Sequence, residues 1–344
     1  FQYSVPVIFS EYLVNSYIPM ESHLRGTLQM KITPEHKKGF TQYLMEDVPA
    51  FRTEPQMPNP DLFRSSVHFR GTAMRWQDIA YDIYHSDAFT GIIRDHPFLK
   101  KLARQVTAGS ETERESIKAI CEYVKDQVTW NGHYDFFSDP PKEILERRSG
   151  SSGDINLLMA SMLSKAGLTP NLLLISTREN GPIYKDFPSS SQFNHVLVMV
   201  YTKQDTLLLD ATDRSLPFDG LPLECANKTG LLLTRETLEW VTFPPSYKLE
   251  TSALAEFQLS ENGILAGSLK YSYGGYAAYN ARIRQGNADQ NAISDFPGNG
   301  ATITRTEVLN RSVFDQPLQA NYNLTITDHG VVAGDKIYFN PFLV

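Results

Sequence analysis

Cysteine is scarce in this chain, with two residues among 344. Neither Cys121 nor Cys225 lies in a CxxC pair or in a Cys/His spacing typical of zinc binding. Cys121 falls on the apolar stripe of a predicted helix, which favours a buried core position. The cysteine pattern therefore predicts no zinc site.

The sequence also lacks long apolar runs and an excess of positive charge. No apolar stretch approaches the ~20 residues that a membrane-spanning helix needs, so we expect no transmembrane segment. The formal net charge is -7 and the isoelectric point is near 5.7, which argues against nucleic acid or an anionic membrane as the main partner. The glycines of residues 275–287 do not open a phosphate-binding loop, so no nucleotide cofactor is predicted.

The length and composition indicate a globular protein of several domains. A chain of 344 residues exceeds the size at which a single core usually stops growing, so two or three domains are expected. Hydrophobic residues make up 41% and charged residues 21%, which is ordinary. Because the sequence starts at Phe1 with neither an initiator Met nor a signal peptide, we expect a processed or truncated piece of a longer protein.

One stretch combines a flexible turn with a patterned helix. Residues 150–153 read GSSG, a small and turn-prone run. Behind it, apolar residues recur at helical spacing until Gly167, which is expected to end the helix. The apolar positions are Ile155, Leu158, Met159, Met162, Leu163 and Ala166. A nucleophile in this turn would lie at the positive end of a helix, where backbone N–H groups stabilise an anion and lower the pKa of a thiol.

The next segment predicts a buried sheet that brings two polar side chains together. Residues 171–177, 195–202 and 206–210 are short apolar runs typical of buried strands. A hairpin-length connection separates the last two runs. If they pair, His195 and Asp210 lie on neighbouring strands, close enough for contact. Each alone has a plainer interpretation, a core histidine and a residue that ends a strand.

Helical patterns precede this core and β patterns flank it. Residues 76–106 are helical in pattern, and a capping box of Ser110 and Glu113 precedes the clearest amphipathic helix. Beyond about residue 250 the signals are all β, apart from a Gly/Asn-rich stretch at 284–300 that predicts a mobile loop. The predicted domains are 1–70, part of an N-terminal β domain with a connector; 71–245, the core; and 246–344, a C-terminal β-sandwich-like domain.

These motifs resemble those of a known family. Residues 148–167, the run FNHVLVMV and the run LLLDATD look like the core of bacterial transglutaminase-like proteins, distant relatives of papain-like cysteine peptidases. The runs VPAFRTEP, VTWNG and GDKIYFNPF resemble segments of large envelope proteins in which this core lies between two β domains. The resemblance implies an α+β fold, with helices packed on the antiparallel sheet of a papain-like core and β domains on either side. It also implies export to the periplasm or outer cell envelope.

The resemblance further implies a catalytic triad. In the family a glycine-flanked Cys begins the central helix, a His opens the following strand and an Asp ends the next, so the counterparts are Ser152, His195 and Asp210. This chain departs from the family pattern, roughly GNCADINLL, because it reads GSSGDINLL and has Ser152 at the Cys position. An alcohol is far less acidic than a thiol, so the base has a harder proton to remove. The alternative role for Ser152 is a helix N-cap.

Three further residues are candidates for the substrate cleft or an oxyanion hole, namely Trp130, Asn131 and Asn194. Their alternative roles are a buried aromatic, an ordinary polar turn and a strand cap. The polar loop at 178–193 leads directly to His195 and is a candidate substrate rim.

Several functions are compatible with this site. The chain is predicted to be an inactive member of a cysteine peptidase or amidase family that acts on peptide or isopeptide bonds through an acyl-enzyme. The alternatives are a pseudoenzyme whose cleft holds a peptide or glycan, a working serine hydrolase, and an adhesion or scaffolding protein that uses its β domains. The expected partner is a peptide or protein, with an envelope polymer as a further candidate; the chemistry implies no metal or other cofactor.

Overall fold

The computed structural model describes all residues except 27, 37–38, 55–56, 58, 73, 95, 236, 244–247, 287–300, 328 and 341–344. The chain forms two compact units, Phe1–Thr212 with Glu224–Pro244, and Asp213–Leu223 with Pro245–Val344. Helices and antiparallel sheets occur together, which confirms the α+β class. The three predicted domains stay a prediction.

Five strands form the N-terminal part of the first unit. They are β1 (Val7–Val14), β2 (Met20–Arg25), β3 (Lys31–His36), β4 (Phe40–Val48) and β5 (Ser66–Gly71). Three of them make a sheet in the order β1-β4-β3, and β2 pairs with β5 as a separate ribbon. This ribbon packs on the loop that precedes His195, because the Arg25 guanidinium lies 3.8 Å from the centre of the Tyr184 ring.

Three helices follow, α1 (Trp76–Tyr84), α2 (Pro97–Val106) and α3 (Glu113–Gln127). A capping box does precede α3, but Thr112 and Glu115 form it. The predicted pair of Ser110 and Glu113 was therefore wrong by two residues, since the spacing of a polar residue three before Glu fits both pairs.

The centre of the unit contains β6 (Thr129–Trp130), α4 (Pro141–Arg147), β7 (Ser149–Gly150) and α5 (Ser152–Lys165). Strands β6 and β7 pair in parallel just before α5. Every residue of α5 from 152 to 163 is buried, because α2, α3 and the strands described next pack around it. A helix that is buried on all sides lies at the centre of a core.

A five-stranded antiparallel sheet supports α5. Its strands are β8 (Pro170–Ile175), β9 (His195–Tyr201), β10 (Thr206–Leu209), β11 (Thr229–Leu233) and β12 (Leu238–Thr242), in the order β10-β9-β8-β11-β12. The predicted hairpin is confirmed, because β9 and β10 pair from Thr206 opposite Tyr201 to Leu209 opposite Val198. Helix α5 packs on β8 and β9, so the helix start and the strand ends are brought together.

The second unit contains β13 (Leu249–Leu259), β14 (Leu265–Gly274), α6 (Gly275–Gly286), β15 (Ala301–Leu309), β16 (Leu318–Ile326), β17 (Gly330–Ala333) and β18 (Lys336–Phe339). Its main sheet has the order β13-β14-β16-β15. Ala277, Ala278 and Ala281 of α6 pack into the core of this sheet. The prediction of strands alone was therefore wrong here, and a helix, not the second sheet of a sandwich, covers this face. Most of the predicted loop at 284–300 lies outside the described residues.

None of the helices that the structure describes is both long enough and apolar enough to cross a bilayer.

Candidate active site

His195 and Asp210 form a buried pair. His195 is the first residue of β9 and Asp210 follows the last residue of β10. The His195 Nε2 atom lies 2.7 Å from Asp210 Oδ2, and both side chains are 0% exposed. The sequence-based expectation that the hairpin brings these two residues into contact is met.

The Asp210 carboxylate has a full set of hydrogen-bond donors. Oδ1 accepts from the Thr212 backbone N–H at 2.9 Å and from Asn156 Nδ2 at 3.2 Å, while the Cys225 thiol donates to Oδ2 at 3.5 Å. Burial alone would raise the pKa of Asp210, but the charge and hydrogen bond of His195 and the bonds from Thr212 outweigh it, so the pKa lies well below the usual range. Asp210 is therefore a carboxylate that orients the imidazole.

The pairing with Asp210 decides which nitrogen of His195 is free. Because the carboxylate is acceptor-only, the neutral ring carries its proton on Nε2 and a lone pair on Nδ1. The Nδ1 atom is buried and has no hydrogen-bond partner among the residues that the structure describes. A free lone pair on an oriented imidazole is what a general base requires.

Asn156 ties the central helix to both strands of the pair. Its Nδ2 donates to the carbonyl of Val196 at 2.9 Å as well as to Asp210, and its Oδ1 accepts from the backbone N–H of Ala211 at 2.9 Å. Sequence reasoning missed this residue. The available signal was an amide within a run of apolar helix positions, since a buried polar side chain needs partners.

Ser152 is the first residue of α5 and is fully buried. Its Oγ donates to the Asp135 carbonyl and accepts from the Asp135 backbone N–H, both at 2.9 Å. Its own backbone N–H donates to the His133 carbonyl at 3.0 Å. In the described part of the chain, no hydrogen bond joins Ser152 to His195, and the Ser152 hydroxyl bonds the backbone of Asp135 instead.

The N-cap of α5 is Ser151. The Ser151 Oγ accepts from the Asp154 backbone N–H at 3.1 Å, and an Asp154 carboxylate oxygen accepts from the Ser151 N–H at 2.9 Å. The alternative role of Ser152 as the N-cap is therefore wrong. The GSSG run offers two serines, and only the backbone conformation decides between them.

Close packing at the start of α5 depends on Gly153. A Cβ added there would lie 2.1 Å from the Phe137 carbonyl oxygen. Asp154 fixes the same chain segment, because its Oδ1 accepts from the Asp139 N–H at 2.8 Å. Arg147 bridges the carboxylates of Asp139 and Asp154 at 2.6 and 2.5 Å.

Of the three cleft candidates, Trp130 and Asn131 contact His133, and Asn194 contacts Thr177. Trp130 is half-buried and its Nε1 donates to the His133 carbonyl at 3.0 Å, and the exposed Asn131 accepts from the His133 N–H at 2.9 Å through Oδ1. Asn194 bonds Thr177 with both ends of its amide, which agrees with the strand-cap alternative. A substrate or oxyanion role for these residues stays a prediction.

Cys225 is a neighbour of the pair that sequence reasoning did not anticipate. Burial and the nearby Asp210 charge raise the pKa of its thiol well above the usual value, so it is protonated. His195, Asp210 and Cys225 offer nitrogen, oxygen and sulfur atoms within 4.8 Å of one another. A metal ion there would need the thiol proton to leave and the short His195–Asp210 hydrogen bond to open. The cluster as it stands is held by hydrogen bonds.

Comparison with known proteins gives one family. Residues 100–208 match the family model described as transglutaminase-like superfamily. The match contains Ser152 and His195 and ends two residues before Asp210. A search of curated proteins gives no match.

The matches among solved structures include three of low identity. A presumed protease from Parabacteroides distasonis is 12% identical, with 99% of this chain and 69% of that chain covered and a TM-score of 0.49. A presumed cysteine protease from Cytophaga hutchinsonii is 13% identical, with 61% and 73% covered and a TM-score of 0.29. A TGase is 14% identical, with 55% and 44% covered and a TM-score of 0.25.

Proposed function

We propose that Ser152, His195 and Asp210 mark a cysteine-peptidase-type site for peptide or isopeptide amide bonds, because residues 100–208 match the transglutaminase-like superfamily model. In this chain the site is inactive, since Ser152 stands where the reactive thiol would be. The observation that carries the proposal is the buried His195–Asp210 hydrogen bond, which leaves Nδ1 of the imidazole free.

In such a site the imidazole carries a proton from the nucleophile to the leaving amine. The nucleophile gives its proton to the imidazole and bonds to the carbonyl carbon of the amide. The carbon–nitrogen bond then breaks as the imidazolium returns the proton to the departing amine, which leaves an acyl-enzyme. Water or a second amine then attacks the acyl carbon and gives a proton to the imidazole; the bond between the acyl carbon and the nucleophile breaks, and the imidazolium returns that proton to the nucleophile. Hydrolysis and transfer differ only in this last attacking group.

Two features of Ser152 oppose this sequence in the present chain. Its hydroxyl is far less acidic than a thiol, so transfer of its proton to His195 is much less favourable. Its backbone N–H, which would stabilise the developing oxyanion, already donates to the His133 carbonyl.

The test is to restore the thiol. The variant Ser152→Cys, with the native chain and Ser152→Cys/His195→Gln as controls, is incubated with iodoacetamide and with a peptide library, and products are read by mass spectrometry. We expect alkylation at position 152 and peptide cleavage by Ser152→Cys alone, because a thiol at the start of α5 lies where a helix N-terminus favours the thiolate, whereas Cys121 is a core residue and the pKa of Cys225 is raised. Folded Ser152→Cys protein with neither alkylation nor cleavage would contradict the proposal.

A non-catalytic role is the second candidate. The Ser152 hydroxyl and N–H are already bonded to residues 133 and 135, which favours a pseudoenzyme without a reactive nucleophile; its role would be to hold a peptide or glycan. Binding of a peptide by the native chain, with no cleavage by Ser152→Cys, would support it. Export to the periplasm or outer envelope is likewise proposed from the sequence resemblance alone.

A further inference from the structure

Three consecutive residues of the same chain engage every reactive group of the candidate site. The His133 carbonyl accepts the backbone N–H of Ser152 at 3.0 Å. The Tyr134 ring packs against the imidazole of His195, with ring centroids 5.4 Å apart and ring planes at 80° to each other. The Asp135 backbone bonds the Ser152 hydroxyl twice, at 2.9 Å each. The oxyanion donor, the base and the nucleophile position are thus all covered by residues 133–135, which we call the strap segment.

We propose that the strap segment is a built-in occupant of the site, which must withdraw before the backbone of an extended peptide can take its place. The inference rests on the proposed function and concerns the regulation of the same site. Ser152 and His195 are both 0% exposed, so no substrate carbonyl reaches either side chain while the strap segment is in position.

The chain around the strap segment has a bend at one end and an anchor at the other. Gly132 has φ +87°, a backbone conformation that glycine adopts more readily than other residues. No heavy atom lies within 4 Å of a Cβ added there, so the chain is not packed at this point. Beyond the strap segment, the Asp139 N–H is held by Asp154 at 2.8 Å. We therefore expect withdrawal to pivot at Gly132 while Asp139 stays on α5.

The side chain at position 152 controls how firmly the strap segment is held. A hydroxyl is both a good donor and a good acceptor, and Ser152 uses both capacities on Asp135. A thiol is weaker in both respects. Serine at this position therefore stabilises the closed arrangement in addition to weakening the nucleophile.

Amide hydrogen exchange measures how firmly Ser152 holds the strap segment, and it requires no catalytic reaction at the site. We compare the native chain with Ser152→Ala and with the matched control Ser161→Ala, which removes another buried hydroxyl of α5 whose partner is the Ile92 carbonyl at 3.1 Å. The Asp135 amide is expected to exchange about tenfold faster in Ser152→Ala and within about twofold of native in Ser161→Ala. If Ser152→Ala does not fold, Ser152→Cys serves in its place with a smaller acceleration. Unchanged exchange at Asp135 in the folded variant would overturn the proposal.

A second experiment measures access to position 152. In the Ser152→Cys background, Tyr134→Ala removes the ring that covers His195, and Tyr134→Phe keeps it. Alkylation by iodoacetamide is expected to be at least about tenfold faster with Tyr134→Ala and nearly unchanged with Tyr134→Phe, because modification follows the population of the open form.

The outcomes separate the strap segment from the proposed function. Equal alkylation in the two Tyr134 variants contradicts the strap, and any peptide cleavage they retain leaves the proposed function standing. Faster alkylation with Tyr134→Ala, but no cleavage by any thiol variant, supports the strap and contradicts the enzymatic function alone.

Discussion

The two halves of the candidate site are built in opposite ways. At the strand half, His195 and Asp210 are oriented, buried and hydrogen-bonded, with one imidazole nitrogen free. At the helix half, which is the start of α5, the hydroxyl and the N–H of Ser152 are hydrogen-bonded to the backbone of residues 135 and 133. A base can thus be fully arranged while the nucleophile position is closed. The orientation of the base and access to the nucleophile position are therefore separate properties of this site.

The largest expected effect comes from the strand half. Asp210→Ala leaves His195 and the Thr212 N–H buried without their partner, and we expect a loss of about 3–5 kcal/mol in the free energy of unfolding, measured with urea. The exposed Asp186 provides the control, since Asp186→Ala is expected to change stability by less than about 0.5 kcal/mol. A small loss for Asp210→Ala would mean that the strand half is not held by this pair.

The pH dependence of stability tests whether Asp210 is held as a carboxylate. The folded-state pKa of Asp210 is depressed, so its contribution is complete above the unfolded value of about 3.9 and is lost as the pH falls toward the folded value. The stability difference between the native chain and Asp210→Asn should therefore stay constant from pH 7 to about pH 5 and shrink below about pH 4. A difference that shrinks already between pH 7 and pH 5 would indicate a raised pKa and contradict the account.

Gly153 tests the close approach at the helix half. Gly153→Ala places a Cβ 2.1 Å from the Phe137 carbonyl oxygen, and this backbone clash should outweigh the helix preference for alanine and destabilise the protein by about 1–3 kcal/mol. Gly109→Ala is the control, since no heavy atom lies within 4 Å of its added Cβ. Equal thermal unfolding of the two variants would show that the segment at Phe137 adapts freely.

The smallest loss of stability is expected from the N-cap of α5, and it distinguishes the role of Ser151 from that of Ser152. Ser151→Ala removes one capping box and Thr112→Ala removes the comparable box of α3, and each should destabilise the protein by about 1 kcal/mol in urea unfolding. Only Ser151→Ala should also speed amide exchange at Ser152. The same exchange change with Thr112→Ala would mean that the effect is global.

The strand half could be predicted from the sequence because its two strands are neighbours along the chain. Two apolar runs and a short turn fix the register of β9 and β10, and the register places His195 beside Asp210. The assignment of the α5 cap failed because two adjacent serines satisfy the same pattern, and only backbone conformation selects Ser151.

The helix half could not be predicted because its contacts join distant positions. Asp135 lies 17 residues before Ser152, and no periodicity encodes a backbone group that bonds a side chain across such a separation. Cys225 likewise reaches Asp210 through tertiary packing. Helix α6 was missed because its glycines and aromatics read as turns and strands, while its alanines fill the face of a sheet.

The central claim, that His195 acts on the group at position 152, is tested most directly by the pH dependence of iodoacetamide alkylation in Ser152→Cys and in Ser152→Cys/His195→Gln. The account predicts that the thiol with His195 reacts with a midpoint well below the value of about 8.5 of an ordinary cysteine, and that the midpoint returns toward about 8.5 without the imidazole. The same midpoint in both proteins would contradict the claim.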